Sequence, residues 1–559
     1  MRLIECVPNF SEGRDLAKIK QITDAIESAE GVKLLDVDPG NATNRTVVTI
    51  VGSPEAVIEG AFRGIKKAAE VIDMSQHTGA HPRMGATDVC PLIPVSGVTD
   101  EEAIEYAKQL AKRVGEELSI PVYLYEKAQA NPDRKNLAVI RAGEYEGFAK
   151  KIKQPKWKPD FGPLEFPAKA GATVIGVRTF LIAYNVNLNT KSTRLANSVA
   201  FDIRENGRAK REGNPYTGKV LKDADDKEVR ILGALKECKA IGWFIEEYKV
   251  AQVSINLTDP TVTSVHHAFD ECCKSANKRG MRVTGSELVG LIPLKALLDA
   301  GRHYLSNQKR SLGVSEQELI HIAVKSMGLD ELSPFDPKKK IIEYQLRNLA
   351  DEKLVAMSLL DFADETASES TAPGGGSIAA YCGTLGISLG TMVANLSAGK
   401  RGWEDKTETF SKWAEEGQLL KAQLMRAVDE DTAAFTSIMY AFGLPKGSEE
   451  EKAARIAAIE EATMYAVEVP LRVMQLSADC LPLIEAMITD GNPNSITDAG
   501  VGALCIRTAV HGACMNVRVN ASGLKDRAWA DNKIAAAKAI LQLTETKVAE
   551  MIAVVESKI

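Results

Sequence analysis

Two α/β subdomains followed by an all-α helical bundle form the fold class this chain predicts, and three observations predict it. Over about the first 330 residues, β-branched runs alternate with helical periodicity, the pattern of layered α/β units. A proline-bearing, charged joint, SPFDPKKK, occupies residues 333–340. Beyond it β-branched alternation gives way to Ala-, Leu-, Glu- and Lys-rich helical periodicity almost to the end. At ~100–200 residues per domain, 559 residues carry three or four folding units. The boundaries expected are 1–180 and 181–330 for the two α/β subdomains, 331–345 for a linker and 346–559 for the helical domain.

In chain order, runs at 32–37 and 46–51 read as strands joined by the turn-forming Pro39-Gly40-Asn41, with helices over 54–71 and 100–118 and a strand at 122–125. Four prolines make 151–167 a loop, and strands resume at 172–177 and 180–188 before a helix over 192–206. The second subdomain has strand-like runs at 229–236, 243–247 and 250–256, then a helix opened by Asp259-Pro260-Thr261 and running to about 278. An apolar run at 288–294 leads into a short helix ending near 300. Helices of the last domain are expected over 342–364, 376–397, 406–442, 449–487, 495–520 and 525–558, with breaks at Pro445, Pro470 and Gly491-Asn492-Pro493. A Ser495 or Asn494 cap with Asp498 downstream marks one start.

Composition narrows the function classes. With 69 basic against 75 acidic residues and no basic run, the chain lacks the electrostatic footprint of a nucleic-acid binder. Nine scattered cysteines without a CxxC pair argue against a zinc site or disulfide framework and suit a cytoplasmic protein, and Glu5 and Pro8 interrupt any signal-peptide pattern. Residues 371–399 carry no charge and are long enough to cross a bilayer, but Ser377, Thr384, Ser388, Thr391, Asn395 and Ser397 are spread through them. Gly383, Gly386 and Gly390 recur there at helical spacing, so the segment reads as a bundle helix rather than a membrane span.

The loop GAHPRMGATDVCP at 79–91 concentrates the chemistry. Glycines and Pro82 hold His81, whose imidazole is suited to move protons near neutral pH, and Arg83 beside it argues for an anion nearby. In the helical half, Asp429 and Asp431 lie two residues apart in AVDEDTAAF, so they cannot share one helix face. Asp431, three residues before Ala434 and four before Phe435 on the expected buried stripe, is the better acid/base candidate. The glycine run Gly374, Gly375 and Gly376 exposes amides at a helix start, a site for a carboxylate. His511, on a Gly/Ala-rich helix, reads as a core or interface histidine.

Further strings join these: ECVPNFSEGRD, LLDVDPG, TNRTVV, IRAGEYEG, PDFGP and SINLTDP in the first half, and TAPGGGSIAA, MVANLS, VDEDTAAF and GNPNSITDAGVGAL in the second. The first set resembles glutamate formimidoyltransferase and the second formimidoyltetrahydrofolate cyclodeaminase. In order and length the chain resembles the fused formimidoyltransferase-cyclodeaminases of histidine breakdown. The resemblance implies transfer of a formimidoyl group from N-formimidoyl-L-glutamate to N5 of tetrahydrofolate, then closure onto N10 to give 5,10-methenyltetrahydrofolate and ammonia. It places His81 at the catalytic histidine, Asp38 at a carboxylate near it, and Asp431 at the acid/base of ring closure. Arg83, Arg45 and Arg178 become candidates for substrate carboxylates. The segment Gly162, Pro163, Leu164, Glu165, Phe166, Pro167, Ala168, Lys169, Ala170 and Gly171 matches the family's folate-binding stretch, with Phe166 expected against the folate rings. It implies tetrahydrofolate, polyglutamylated, as cosubstrate, no metal, and a homo-oligomer built on helical-domain dimers, which the glycine-spaced helix fits. Cutting near Pro334 is expected to separate the two chemistries, with 1–330 carrying transfer. The same motifs would serve a formyl-transferring or single-activity relative, or a folate-binding protein with a decayed site, and product analysis with each donor separates these.

Overall fold

The computed structural model describes residues 2–41, 43–79, 82–214, 217–246, 248–346 and 354–559. The chain divides into two compact units, Met1–Ala296 with Met327–Gln345, and Leu297–Ser326 with Leu346–Ile559.

The first unit holds two sheets. Strands β1 (Leu3–Cys6), β2 (Asn9–Phe10), β3 (Val32–Gly40), β4 (Arg45–Gly52), β5 (Thr87–Ser96), β6 (Val122–Glu126) and β7 (Thr173–Val177) form one, in the order β1-β4-β2-β5-β7-β6 with β3 on β4. Helices α1 (Leu16–Glu27), α2 (Pro54–Val71) and α3 (Asp100–Glu117) cover one face of it. Alternation along the strands decides which side chains they meet: Ile4, Cys6, Val48, Ile50, Cys90 and Leu92 enter that core. Glu5, Val7, Asn9, Val47, Thr49, Val89 and Pro91 face the other way. Short helices α4 (Leu137–Arg141) and α5 (Glu144–Lys151) lie between β6 and β7 in the chain.

Strands β8 (Ile182–Leu188), β11 (Cys238–Ile245), β12 (Val250–Leu257) and β13 (Val283–Val289) form the second sheet, ordered β11-β12-β8-β13, packed on α6 (Thr193–Ile203) and α7 (Val265–Asn277). A small hairpin, β9 (Arg208–Ala209) with β10 (Arg230–Ile231), is inserted between. The run expected as a strand at 229–236 is therefore ordered as strand only at β10. The helix expected from Asp259 begins at Val265, because Asp259 spends its carboxylate on a turn, accepting from Thr261 N (2.9 Å) and Oγ1 (2.6 Å). The β3–β4 turn also falls later than Pro39-Gly40, since β3 runs through both.

Residues 331–345, expected as a linker, belong to the first unit: α10 (Pro337–Lys340) and α11 (Ile342–Leu346) follow one another there, and Ile341 bridges Ile292. Residues 297–326, which carry most of α8 (Leu294–Asn307) and α9 (Glu316–Met327), pack with the second unit. A cut near Pro334 thus passes through the first unit.

The second unit is helical, with α12 (Leu359–Thr366), α13 (Gly375–Ala398), α14 (Thr407–Gly443), α15 (Glu449–Asp479), α16 (Leu481–Thr489), α17 (Ile496–Ala521) and α18 (Arg527–Lys558). By length and composition α13 is apolar enough to cross a membrane, yet 61% of its most apolar window is buried within the protein. Thr384, Ser388, Thr391 and Ser397 return their hydroxyls to carbonyls one turn back, which satisfies them inside the bundle. Gly383, Gly386 and Gly390 pack against Leu424, Ile506 and Ile484, so the small-residue face is filled by the chain's own helices and not held open for a partner.

Pro470 does not break α15. It removes the amide that would have bonded Ala466 O, and that carbonyl accepts instead from Asn520 Nδ2 on α17 (2.7 Å). Asn520→Ala is therefore expected to cost the second unit about 1–3 kcal/mol by stranding a buried acceptor, measurable by chemical denaturation against wild type. Ser495 marks the start of α17 as expected but makes no side-chain cap; Asn492 caps the 3₁₀ turn before it.

Candidate functional site

The polar face of the first sheet and one end of the second enclose a cavity of about 900 Å³. Strand alternation supplies three of its carboxylates, Glu5 from β1 and Asp36 and Asp38 from β3, and Glu126, Glu144 and Glu237 also line it. Arg45 on β4, Arg141 at the end of α4 and Arg178 just past β7 supply its cations, and Lys239 and Asn256 come from the second sheet. Asp88, fully buried, accepts from Met84 N (3.1 Å) and Arg141 Nε (3.2 Å) and pairs with Arg45 Nη1 (3.5 Å). Arg45 also donates Nε to Asn9 Oδ1 (2.9 Å), and its burial pulls the guanidinium down to about 10. Two guanidiniums on one carboxylate leave a net positive wall, suited to an anionic substrate group.

Asp38 and Arg178 both line the cavity, Arg178 spending only Nη1 on Thr179 O (3.0 Å) among the bonds described. Asp36 next to Asp38 is pushed up by burial and by repulsion from Asp38. His81 lies outside the described residues; its neighbour Pro82 lines the cavity.

Arg83 does not. Its guanidinium is buried against Glu144 (3.1 Å) and Glu146 (2.6 Å) at the start of α5, with Nε reaching His77 Nδ1 (3.3 Å). It is a rivet between the 77–83 loop and α5, and the anion its position suggested is the protein's own. The 162–171 segment likewise contributes nothing to the cavity lining. Phe166 packs on Tyr145 and Phe148 (5.2 and 5.5 Å), and Leu164 is 58% exposed. The glycines at its ends answer a backbone need: both have positive φ, and a Cβ would lie 2.4 Å from Ile120 O at Gly162 and 2.4 Å from Met84 O at Gly171.

Glu5 and Arg141 are cavity residues that the sequence reading passed over. Glu5 is only 3% exposed, and burial raises its carboxyl to about 7 against the pull of Arg178. A signal existed in the acidic residue set inside the apolar alternation Leu3-Ile4-Glu5-Cys6-Val7.

In the second unit the two aspartates separate. Asp429 accepts from Leu354 N (2.8 Å) and Val355 N (3.4 Å), anchoring the segment before α12. Asp431 sits at the amino end of α13, where Ser377 Oγ donates to it (3.3 Å). Burial raises the Asp431 carboxyl from its ordinary value, opposed by the Ser377 hydroxyl and amide. Ala434 is buried but Phe435 is 43% exposed, so the buried stripe turns away after Ala434. The helix terminus expected to receive a substrate carboxylate at Gly374–Gly376 already faces Asp431. A Cβ on Gly376 would lie 2.1 Å from Asp431 Oδ1, whereas Gly374 has open space and Gly375 ordinary contact with Asn516. Gly376→Ala is expected to displace this carboxylate and abolish ring closure while transfer persists, read by assaying both half reactions. His511 is no core residue: half-exposed, it pairs with Glu545 on α18.

One unit holds a charged cavity and the other a partly buried carboxylate at a helix terminus, so each unit carries a candidate site of its own. Residues 3–178 match the family described as Formiminotransferase domain, N-terminal subdomain; residues 183–347 match Formiminotransferase domain; residues 358–539 match Formiminotransferase-cyclodeaminase. The formimidoyltransferase-cyclodeaminase of Mus musculus is 41% identical over 558 residues, covering 100% of this chain and 99% of that one. The glutamate formimidoyltransferase of Streptococcus pyogenes is 40% identical over 304 residues, 54% of this chain and 93% of that one. The methenyltetrahydrofolate cyclohydrolase of Methylorubrum extorquens is 39% identical over 173 residues, 31% of this chain and 83% of that one. The chain belongs to the formimidoyltransferase-cyclodeaminase family and is a bifunctional enzyme.

Proposed function

We propose that the two reactions of this enzyme run at the two sites described: transfer of the formimidoyl group from N-formimidoyl-L-glutamate to N5 of tetrahydrofolate in the cavity, and cyclisation to 5,10-methenyltetrahydrofolate with loss of ammonia at Asp431. The observation that carries the first is the pairing of carboxylates with arginines around one cavity, because the donor presents an amidinium and two carboxylates. His81, next to cavity-lining Pro82, takes the N5 proton and gives one to the departing glutamate amine. Asp38 holds the amidinium or orients the imidazole; Arg45 and Arg178 receive carboxylates.

Ring closure is intramolecular, so positioning supplies much of the acceleration. Asp431 accepts the N10 proton and returns it to the leaving ammonia; its partial burial raises the carboxyl from its ordinary value. Asp429, bound to backbone amides, supports the site. Neither step as proposed uses a metal ion. Lys127 and Lys239 on the cavity wall favour a polyglutamylated folate. Free cysteines throughout the described residues agree with a cytoplasmic location. A homo-oligomer through the helical domain is supported by Leu385, Met392 and Leu396 on α13 and Val501 and Leu504 on α17, large apolar side chains left exposed. Thr49→Trp, which fills the cavity, tests the transfer site: loss of transfer with ring closure of supplied 5-formimidoyltetrahydrofolate intact is expected, and unimpaired transfer would refute it.

A further inference from the structure

Glu5 and Asp88 are the buried carboxylates near the cavity among the described residues. Asp88 is held by Met84 N, Arg141 and Arg45, and of the more exposed carboxylates Glu144 faces Arg83. Asp160 accepts from Arg134 (2.6 Å), Leu124 N (2.8 Å) and Gln129 (3.2 Å). Glu5 has no hydrogen-bond partner among the described residues, is nearly inaccessible, and lines the cavity. A buried, unpaired carboxylate is costly, and one that opens onto a cavity is completed by a cationic ligand with N–H donors.

We propose that Glu5 selects an amidine over an amide at the transfer site: its carboxylate receives the N–H groups of the donor's formamidinium and repels the carbonyl oxygen that a formyl donor would place there. A formamidinium is planar, cationic and able to offer two parallel N–H groups, the geometry a carboxylate binds best. A formyl amide offers lone pairs at the corresponding atom. During transfer the bond from carbon to N5 forms, the bond from carbon to the glutamate nitrogen breaks, and a proton passes from N5 to the leaving amine. Glu5 stays ionised and holds the remaining amidine nitrogen. The proposal rests on the cavity being the transfer site.

The test is kcat/KM of the full-length enzyme with N-formimidoyl-L-glutamate and with N-formyl-L-glutamate, for wild type, Glu5→Gln and Thr49→Trp. Where formyl turnover is too slow, its Ki against the formimidoyl donor is measured instead. Glu5→Gln is expected to lower use of the formimidoyl donor roughly 10- to 100-fold and to leave the formyl compound unchanged or better accepted. An equal effect on both, or none, overturns the proposal. If Thr49→Trp abolishes transfer while Glu5→Gln leaves the donor ratio alone, only the role of Glu5 fails; if Thr49→Trp is harmless, the cavity reading fails.

A second measurement needs no variant to fold. Taking the ratio of kcat/KM for the two donors cancels titrations common to both. With the Glu5 carboxyl raised to about 7, it is ionised above that pH, so in wild type the ratio is expected to fall about tenfold per pH unit below it. The charged and titratable groups around this cavity are Arg178 beyond β7, Asp36 and Asp38 on β3, Arg45 on β4, Tyr125 and Glu126 on β6 with Lys127 after it, Arg141 on α4, Glu144 on α5, and Glu237 and Lys239 at the start of β11. Helix α2, on the opposite face of β1, buries apolar side chains. A flat ratio in wild type, or one that still falls in Glu5→Gln, overturns the proposal.

Discussion

Asp431→Asn is expected to leave formimidoyl transfer at the wild-type rate and to slow ring closure ~100- to 10,000-fold, so that 5-formimidoyltetrahydrofolate accumulates. Asparagine keeps the shape of the side chain at the amino end of α13, and Ser377 Oγ can still donate to it. It cannot accept the N10 proton. The same change makes a stability prediction of opposite sense. Burial raises the folded-state pKa of Asp431 above its unfolded value, so over the window between them the folded protein binds more protons and stability falls as pH rises. At neutral pH the ionised carboxylate is therefore a liability that asparagine removes, and the second unit of Asp431→Asn is expected to melt at a higher temperature than wild type. A variant that cyclises at wild-type speed would move the role to another group. Asp429 is the less suitable one, since its carboxylate is occupied by the amides of Leu354 and Val355.

His81→Ala is expected to give the complementary phenotype: transfer reduced ~100- to 10,000-fold, with supplied 5-formimidoyltetrahydrofolate still cyclised. Described residues before and after His81 are anchored. Asn44 Nδ2 donates to Thr78 O (2.9 Å), and Arg83 is locked to Glu144 and Glu146. Gly79 lies so close to Thr43 O that a Cβ there would be 2.3 Å away. These anchors belong to residues other than the substituted one, so alanine is expected to remove the proton carrier and leave them in place. Folate binding, measured separately, is expected to change little.

What the sequence made legible is what local chemistry decides. Helix α2 begins and ends where the pattern placed it, because Ser53 caps it and Pro54 stands at its first position; α3 starts at the Thr99–Glu102 capping box. The two-part architecture was readable from the change of hydrophobic period and composition across the SPFDPKKK joint. Pro470 was misread because the donor that rescues Ala466 O, Asn520, lies 54 residues further along the chain. Arg83 was misread for the same kind of reason: its partners lie more than 60 residues away, and an arginine beside a histidine looks identical whether its anion is a substrate or Glu146. Gly162 and Gly171 suggested a ligand loop where the backbone needs positive φ and close approach. Glu5 carried only a faint signal, an acid within an apolar run; its significance is burial without a hydrogen-bond partner among the described residues, which only the tertiary fold creates.

The claim that two independent sites act in sequence is tested most directly by mixing the two single variants. Equimolar His81→Ala and Asp431→Asn, each inactive in overall conversion, are supplied with tetrahydrofolate and N-formimidoyl-L-glutamate, and the absorbance of 5,10-methenyltetrahydrofolate is followed. The account predicts that product appears in the mixture after a lag, as intermediate made by one protein is closed by the other. A mixture that stays as inactive as its components, while each variant retains its own half reaction in isolation, would contradict it.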